Sequence, residues 1–440
     1  MSSFQSNLYS RRALNRFLLL MSLLLPMLHN EVFQVAAQRT NLDVTFRNLY
    51  RPLRLLTLQF SGRSGDDLRN VAKLRSLGKT QRFGKRARSL LVFCDAKDGP
   101  GKRSEVPPSS VHRLRPGDID IIAAMGDSLT AGNGIFASNI LHISVENRGV
   151  VFSIGGQDTW QKYLTLPNIL KEFNPNLYGY STKDGLATDR SSKFNVAELG
   201  AMSRDIPYEA KVLVKRLQRD PLVNMTHHWK LATLLIGNND FCSDMCFYPN
   251  PLDVIKWHER NMLTTYRYLR DNVPRLMLNV VPAPNLRLLT RLKGLPAQCP
   301  ATLSFECPCL IGQSKSKKQL DYLENIMIQW VAKDYEIAAR DEFNTETFTI
   351  NVQPFAQFPD YPQTRDGNSD TRFMSEDCFH LSQRGQAASA NALWNNMLEY
   401  PEEKSAFNPV ILEKFRCPTK ERPYLITREN LRPDFKVNAN

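Results

Sequence analysis

Ile119-Asp-Ile-Ile-Ala-Ala-Met-Gly-Asp-Ser-Leu-Thr-Ala-Gly-Asn-Gly134 is the stretch that decides how this chain folds. Ile119 to Met125 is short, apolar and rich in β-branched residues, as a strand buried on both faces must be. Gly126, Gly132 and Gly134 then punctuate a tight turn, with Ser128 at its apex. A serine hydroxyl is a poor nucleophile until a neighbouring base takes its proton, so a partner must be sought elsewhere. Asp377-Cys-Phe-His380 supplies one: His380 as base, with Asp377 to fix the imidazole tautomer and stabilise the imidazolium. This pairing reads as a serine hydrolase.

Two further pieces belong to the same chemistry. Gly237-Asn-Asn-Asp240 follows a second apolar run, Leu231 to Ile236, and an Asn side chain just past a strand end can donate to a developing oxyanion. Asn195-Val-Ala-Glu-Leu-Gly200 ends on a glycine whose N–H could approach that point closely. Apolar runs at Ile119–Met125, Val150–Ile154, Leu231–Ile236, Arg275–Val281 and Phe348–Gln353 read as strands. Helical patterns at Tyr208–Leu217, Trp257–Leu269, Leu320–Ala339 and Ser382–Leu398 alternate with them. Alternation of this kind predicts a three-layer α/β fold on a parallel sheet, with ligands bound beyond the carboxyl ends of the strands. Ser128 and Asn239 both follow strand ends, so they should meet at one rim. The segment Pro282–Gln313, with three Cys and many Leu, has no clear period and reads as an inserted, disulfide-pinned loop. It could wall a lipid site or simply pack down.

The four pieces, in this order, resemble the SGNH (GDSL) hydrolase superfamily. Ser110-Val-His-Arg-Leu-Arg-Pro-Gly-Asp-Ile119, Phe173-Asn-Pro-Asn-Leu177, Asp377-Cys-Phe-His380 and Ala392-Leu-Trp-Asn-Asn-Met-Leu398 bring the likeness closer, to phospholipases B of the animal, membrane-associated type. The resemblance runs from about Phe93 to Pro418. It implies an α/β/α fold with a central parallel sheet. It makes Ser128 the nucleophile, His380 the base and Asp377 its orienting acid. It also implies an oxyanion hole of the Ser128 N–H, the Gly200 N–H and the Asn239 side chain, without metal or cofactor. The substrate it implies is a phospholipid or lysophospholipid at a membrane or micelle surface, with no nucleic acid and no obligate protein partner. Residue chemistry alone reaches only an esterase, and the fold also hosts enzymes of acetylated carbohydrates and short esters. A secreted binding protein on a degenerate scaffold is a third reading, which the intact Ser128, Asn239, Asp377 and His380 oppose. Gly200-Ala201 stands where the family has a Gly-Gly pair, and the sequence is expected to hold one such domain without an anchoring tail, where the family has tandem repeats.

The ends of the chain carry different information. Arg11, Arg12 and Arg16, an apolar run Phe17–Leu28 of about 12 residues and the small residues Ala36-Ala37 predict a signal peptide over 1–37, too short for a bilayer span of about 20. The eight cysteines, Cys94, Cys242, Cys246, Cys299, Cys307, Cys309, Cys378 and Cys417, then predict disulfides in a secreted protein. Zinc is the rival reading for Cys299, Cys307 and Cys309, but paired C-x-x-C spacing and nearby His ligands are missing. Asn224-Met-Thr226 is a glycosylation sequon. The net charge of +13 concentrates in 38–92, above all over 63–88, where Arg63, Arg69, Lys73, Arg75, Lys79, Arg82, Lys85, Arg86 and Arg88 face only Asp66 and Asp67. That stretch is expected to be a loosely ordered leader or propeptide, with a membrane-recruiting arm as the alternative. The domain then runs over 93–418, followed by a polar tail over 419–440.

Overall fold

Residues 67–83, 94–312, 315–357 and 361–437, with Pro52, Leu56 and Gly65, are described by a computed structural model. The expected signal peptide, most of the basic leader and the Lys85-Arg86-Ala87-Arg88 cluster lie outside these residues.

In chain order the principal elements are α1 (Leu68–Ser76), β1 (Ile119–Gly126), α2 (Ser128–Ala131), α3 (Leu166–Phe173), α4 (Ile206–Arg219) and β2 (Trp229–Ile236). They continue with α5 (Asn238–Ser243), α6 (Asp253–Asn272), β3 (Leu276–Pro282), α7 (Cys299–Glu306), α8 (Lys317–Ala338), β4 (Asn344–Thr345), β5 (Phe348–Val352) and α9 (Gln383–Leu398). The sheet order is β1-β2-β3-β5-β4, parallel except for the short β4, which pairs antiparallel at the edge.

Alternation along the strands builds the three layers. Ile122 and Ala124 of β1 and Leu231 and Leu235 of β2 face one core, shared with Leu166, Ile169 and Leu170 of α3 and Leu393, Trp394 and Met397 of α9. Ile121, Ala123 and Met125, with Ala232, Leu234 and Ile236, face the other, against Leu213 and Val214 of α4 and Met262, Tyr266 and Leu269 of α6. Because both faces are covered, the strands read as continuous apolar runs.

Val150–Ile154, expected as a strand, is not one. It is a buried turn, in which Gly155 N–H donates to Val151 O and Phe152 N–H to the Gln386 side chain. Burial alone made this run apolar, and a buried loop shows the same pattern as a buried strand when its N–H groups find other acceptors. The outer edge of β1 instead carries single parallel bridges, Ile121 to Tyr178 and Ala124 to Asn195.

The loose order expected of 38–92 does not hold for its described part. Asp67 caps α1 by accepting from the N–H groups of Arg69 and Asn70, and Leu74 is fully buried in the core. Asn70 Nδ2 donates to Phe136 O, Arg384 N–H donates to Lys79 O, and Lys79 Nζ pairs with Glu376 at 2.6 Å. A single buried leucine on a short helix leaves no period to detect, which is why sequence patterning missed it. The polar tail is also seated: Leu425 is fully buried, its N–H donates to Leu114 O, and Thr427 Oγ1 meets His112 Nδ1 at 2.9 Å. A chain starting at Phe93 is therefore expected to melt about 5 °C or more below one starting at Gly65, since losing one buried leucine alone costs about 2–5 kcal/mol. Equal melting curves would restore the dispensable leader.

Candidate active site

The site forms at the carboxyl ends of β1 and β2, where the chain leaves the sheet. Gly126 ends β1 at φ +142°, and a Cβ there would lie 2.3 Å from the Leu235 carbonyl oxygen, so only glycine lets the two strands stay in register to their ends. Its N–H donates to the buried Glu209 carboxylate at 2.8 Å. Asp127 then caps α2 through Leu129 N–H, which sets Ser128 at the first position of that helix.

His380 reaches this serine from a position 252 residues away: Ser128 Oγ lies 2.7 Å from His380 Nε2. His380 Nδ1 lies 2.5 Å from Asp377 Oδ2. A carboxylate can only accept, so Nδ1 carries the hydrogen and Nε2 is free to take the Ser128 proton. The three-residue spacing works because Asp377 folds its own turn: Oδ1 accepts from the N–H groups of both Phe379 and His380, leaving Oδ2 for the ring. Cys378 takes up the strain at φ +62° and is tied by a disulfide to Cys299. Asp377 and His380 are buried. Burial disfavours the imidazolium, but the Asp377 carboxylate outweighs it and raises His380 to about 9, while His380 in turn holds Asp377 below the usual carboxylate range against its own burial.

The remaining two blocks converge on the same rim. Glu198 N–H donates to Gly126 O, which lays 195–200 alongside the end of β1. Asn195 pins this segment, donating to Thr130 O and accepting from Arg148, whose guanidinium also donates to Ala197 O and pairs with Glu146 at 2.8 Å. Gly200 has φ +76° and faces open space, and the N–H groups of Ser128 and Gly200 have no partner among the described residues. Asn239 donates to Ala201 O at 2.9 Å, joining the two blocks, while Asn238 donates to Asp127. The alanine after Gly200 thus contributes a carbonyl, a role that any residue type could fill.

All eight cysteines are paired: Cys94–Cys417, Cys242–Cys307, Cys246–Cys309 and Cys299–Cys378. Three of these bonds pin 282–312 against α5, the turn after it and the His380 turn, so its cysteines are not free to hold zinc. Its Leu286, Leu288 and Leu289 wall a cavity of about 160 Å³, together with Leu129, Asn238, Phe379 and Leu381 from beside the serine and histidine, Leu235 and Val281 of the sheet, and Phe152, Phe355 and Phe407. Glu306, Asp377 and His380 lie close enough together to hold a cation. Both His380 nitrogens are engaged, with Ser128 and Asp377, so a cation would have to break the hydrogen bonds just described. Asn224 is exposed, and its Oδ1 is used by Thr226 and His227. Sequence patterning missed Glu146, Arg148, Glu209 and Glu306. A buried charge leaves no periodic signal, and only contact with a distant partner shows its use.

The sequence family described as GDSL-like Lipase/Acylhydrolase matches residues 122–393. The chain is 38% identical over 333 residues to "Phospholipase B1, membrane-associated" of Mus musculus, covering 74% of this chain and 22% of that protein. It is 38% identical over 349 residues to the protein of that name from Homo sapiens, covering 77% and 23%. The chain thus spans about a fifth of the length of these curated relatives. An extracellular lipase structure from Streptomyces rimosus aligns over 61% of this chain and 95% of its own at 17% identity, with a TM-score of 0.29, too low to bear on the fold. Among the described residues no helix is long and apolar enough to cross a membrane.

Proposed function

The chain belongs to the GDSL-like lipase/acylhydrolase family, and on that premise we propose that it is a secreted serine esterase that hydrolyses acyl esters of glycerophospholipids and lysophospholipids through an acyl-enzyme. The observation that carries this reading is the unbroken line Ser128–His380–Asp377, whose chain neighbours Leu129, Phe379 and Leu381 line an apolar cavity. Ser128 is the nucleophile. Its oxygen attacks the ester carbonyl as its proton passes to His380 Nε2, and the Asp377 carboxylate holds the imidazolium. The oxyanion takes hydrogen bonds from the free N–H groups of Ser128 and Gly200 and from the Asn239 amide, whose second hydrogen is not needed by Ala201. His380 returns the proton to the departing alcohol. Water then repeats the steps and releases the fatty acid, so protons balance over the cycle.

The phospholipid substrate is supported by the likeness to phospholipases B and by the leucine and phenylalanine walls beside the serine, which suit an acyl chain better than a sugar. Secretion is supported by four disulfides, since such bonds persist in oxidising compartments. A glycan on the exposed Asn224 accompanies that route, and a mass loss on deglycosylation reads it. The test is a fluorophosphonate label followed by diacyl phospholipid, lysophospholipid and acetylated sugar in parallel. Labelling with turnover of both lipids is the expected result; turnover of the sugar alone would make this a carbohydrate esterase, and no labelling a degenerate scaffold.

Asn239→Ala is expected to lower kcat by about two to three orders of magnitude with KM little changed, because its donor matters most once negative charge develops. A raised KM with kcat intact would make Asn239 a substrate-binding residue instead.

A further inference from the structure

A second carboxyl stands behind the triad. Glu306, the last residue of α7, places Oε2 3.8 Å from His380 Nδ1, the nitrogen that Asp377 already holds. That oxygen is buried and has no hydrogen-bond partner. Leaving a carboxyl oxygen so placed is costly unless it interacts with a charge, and the charge at hand is the imidazolium that forms on His380 during each transfer.

The helix that carries it is fixed in place. Helix α7 begins at Cys299, bonded to Cys378 in the His380 turn, and is followed by Cys307, bonded to Cys242 of α5. Thr302 Oγ1 donates to the Asp377 carbonyl at 2.8 Å. The helix is thus fastened at both ends to the elements that carry His380 and Asn239. The backbone at its last residue is thereby held beside the triad.

We propose that Glu306 is a positioning residue of the acyl-transfer site, a second carboxyl that shares the charge of the His380 imidazolium with Asp377 and makes His380 a stronger base than Asp377 alone would. The proposal rests on the acyl-transfer reading above. The groups that favour a charged His380 are Asp377, Glu306 and Asp127, all carboxyls, arriving respectively from the His380 turn, from α7 and from the β1–α2 turn. Asp127 faces the ring from the serine side and is held by Asn238 and Leu129 N–H, so Glu306 and Asp377 are the two at Nδ1. Burial, with Asp377 adding and His380 opposing, raises Glu306 itself to about 8, so it gains charge over the same pH range in which His380 gives up its proton.

The sign of the consequence follows. Only neutral His380 can accept the Ser128 proton, so kcat/KM falls as pH falls through the His380 titration. A carboxylate beside Nδ1 holds that proton on and moves the fall to higher pH; removing it moves the fall to lower pH.

The experiment measures kcat/KM against pH on a soluble monomeric ester for the full chain and for Glu306→Gln, Asp377→Asn, the double variant and Ser128→Ala. Glu306→Gln is expected to shift the acid limb down by about half a pH unit or more, at little change in KM. The double variant is expected to lie about tenfold below Asp377→Asn, since Glu306 is then the only carboxyl left at Nδ1. A limb midpoint does not depend on how much protein is folded, so a partly unfolded Glu306→Gln still reports. An unmoved limb, or a double variant no worse than Asp377→Asn, overturns the role of Glu306 while a dead Ser128→Ala leaves the serine-esterase reading standing. An active Ser128→Ala would remove both.

Discussion

Ser128→Ala is expected to abolish fluorophosphonate labelling and to lower turnover of a soluble ester by about four to six orders of magnitude, leaving the fold intact. The size of the loss follows from covalent catalysis: without Oγ no acyl-enzyme forms, and what remains is the oxyanion pocket and the base. The fold should survive because Oγ has one hydrogen-bond partner, His380 Nε2, and takes no part in capping α2, which Asp127 caps instead. The two N–H donors of the pocket belong to the backbone and remain. A kcat for Ser128→Ala within tenfold of the parent, at an unchanged melting temperature, would mean that some other group attacks the ester.

Asp377→Asn is expected to cost about four orders of magnitude in kcat with KM nearly unchanged. The substitution is isosteric, and an asparagine oxygen can still accept from Phe379 and His380 N–H, so the turn should persist. Its amide would then face Nδ1 and donate to it. Donation there forces the hydrogen of the ring onto Nε2, which points at Ser128 and can no longer take a proton. The carboxylate that stabilises the imidazolium is lost at the same time, and only Glu306 remains near Nδ1. If Asp377→Asn kept a tenth of the parent kcat, the tautomer argument would be wrong and Asp377 would be a turn-former only.

Much of this site was legible without a structure, for local reasons. Burial on both faces makes β1, β2, β3 and β5 largely apolar, and a glycine at the end of β1 or just after β2, Gly126 or Gly237, stands two residues before the functional residue, Ser128 or Asn239. Asp377 and His380 sit in one turn, so their pairing is also a local matter. Helices α4, α6 and α8 were visible because each exceeds three turns and carries a periodic pattern over its length, while α9, buried nearly all round, was visible by its length and its run of small and apolar residues. What patterning could not separate was Val150–Ile154 from a strand, because the two differ only in which acceptors its N–H groups find, and one of those is the Gln386 side chain in α9.

The sequence by itself determined the layered α/β architecture, the serine with its base and acid, and the two blocks at the rim, because these depend on residue type and short-range spacing. Tertiary structure alone decided which cysteines pair, that Leu286, Leu288 and Leu289 line the cavity, that Leu74 ties 67–83 into the core, and that Glu306 stands at His380 Nδ1. Each of these is a contact between residues far apart in the chain. The free energy that selects such contacts comes from closing the whole core at once, with apolar area buried and most buried polar groups matched, and no local pattern carries that sum.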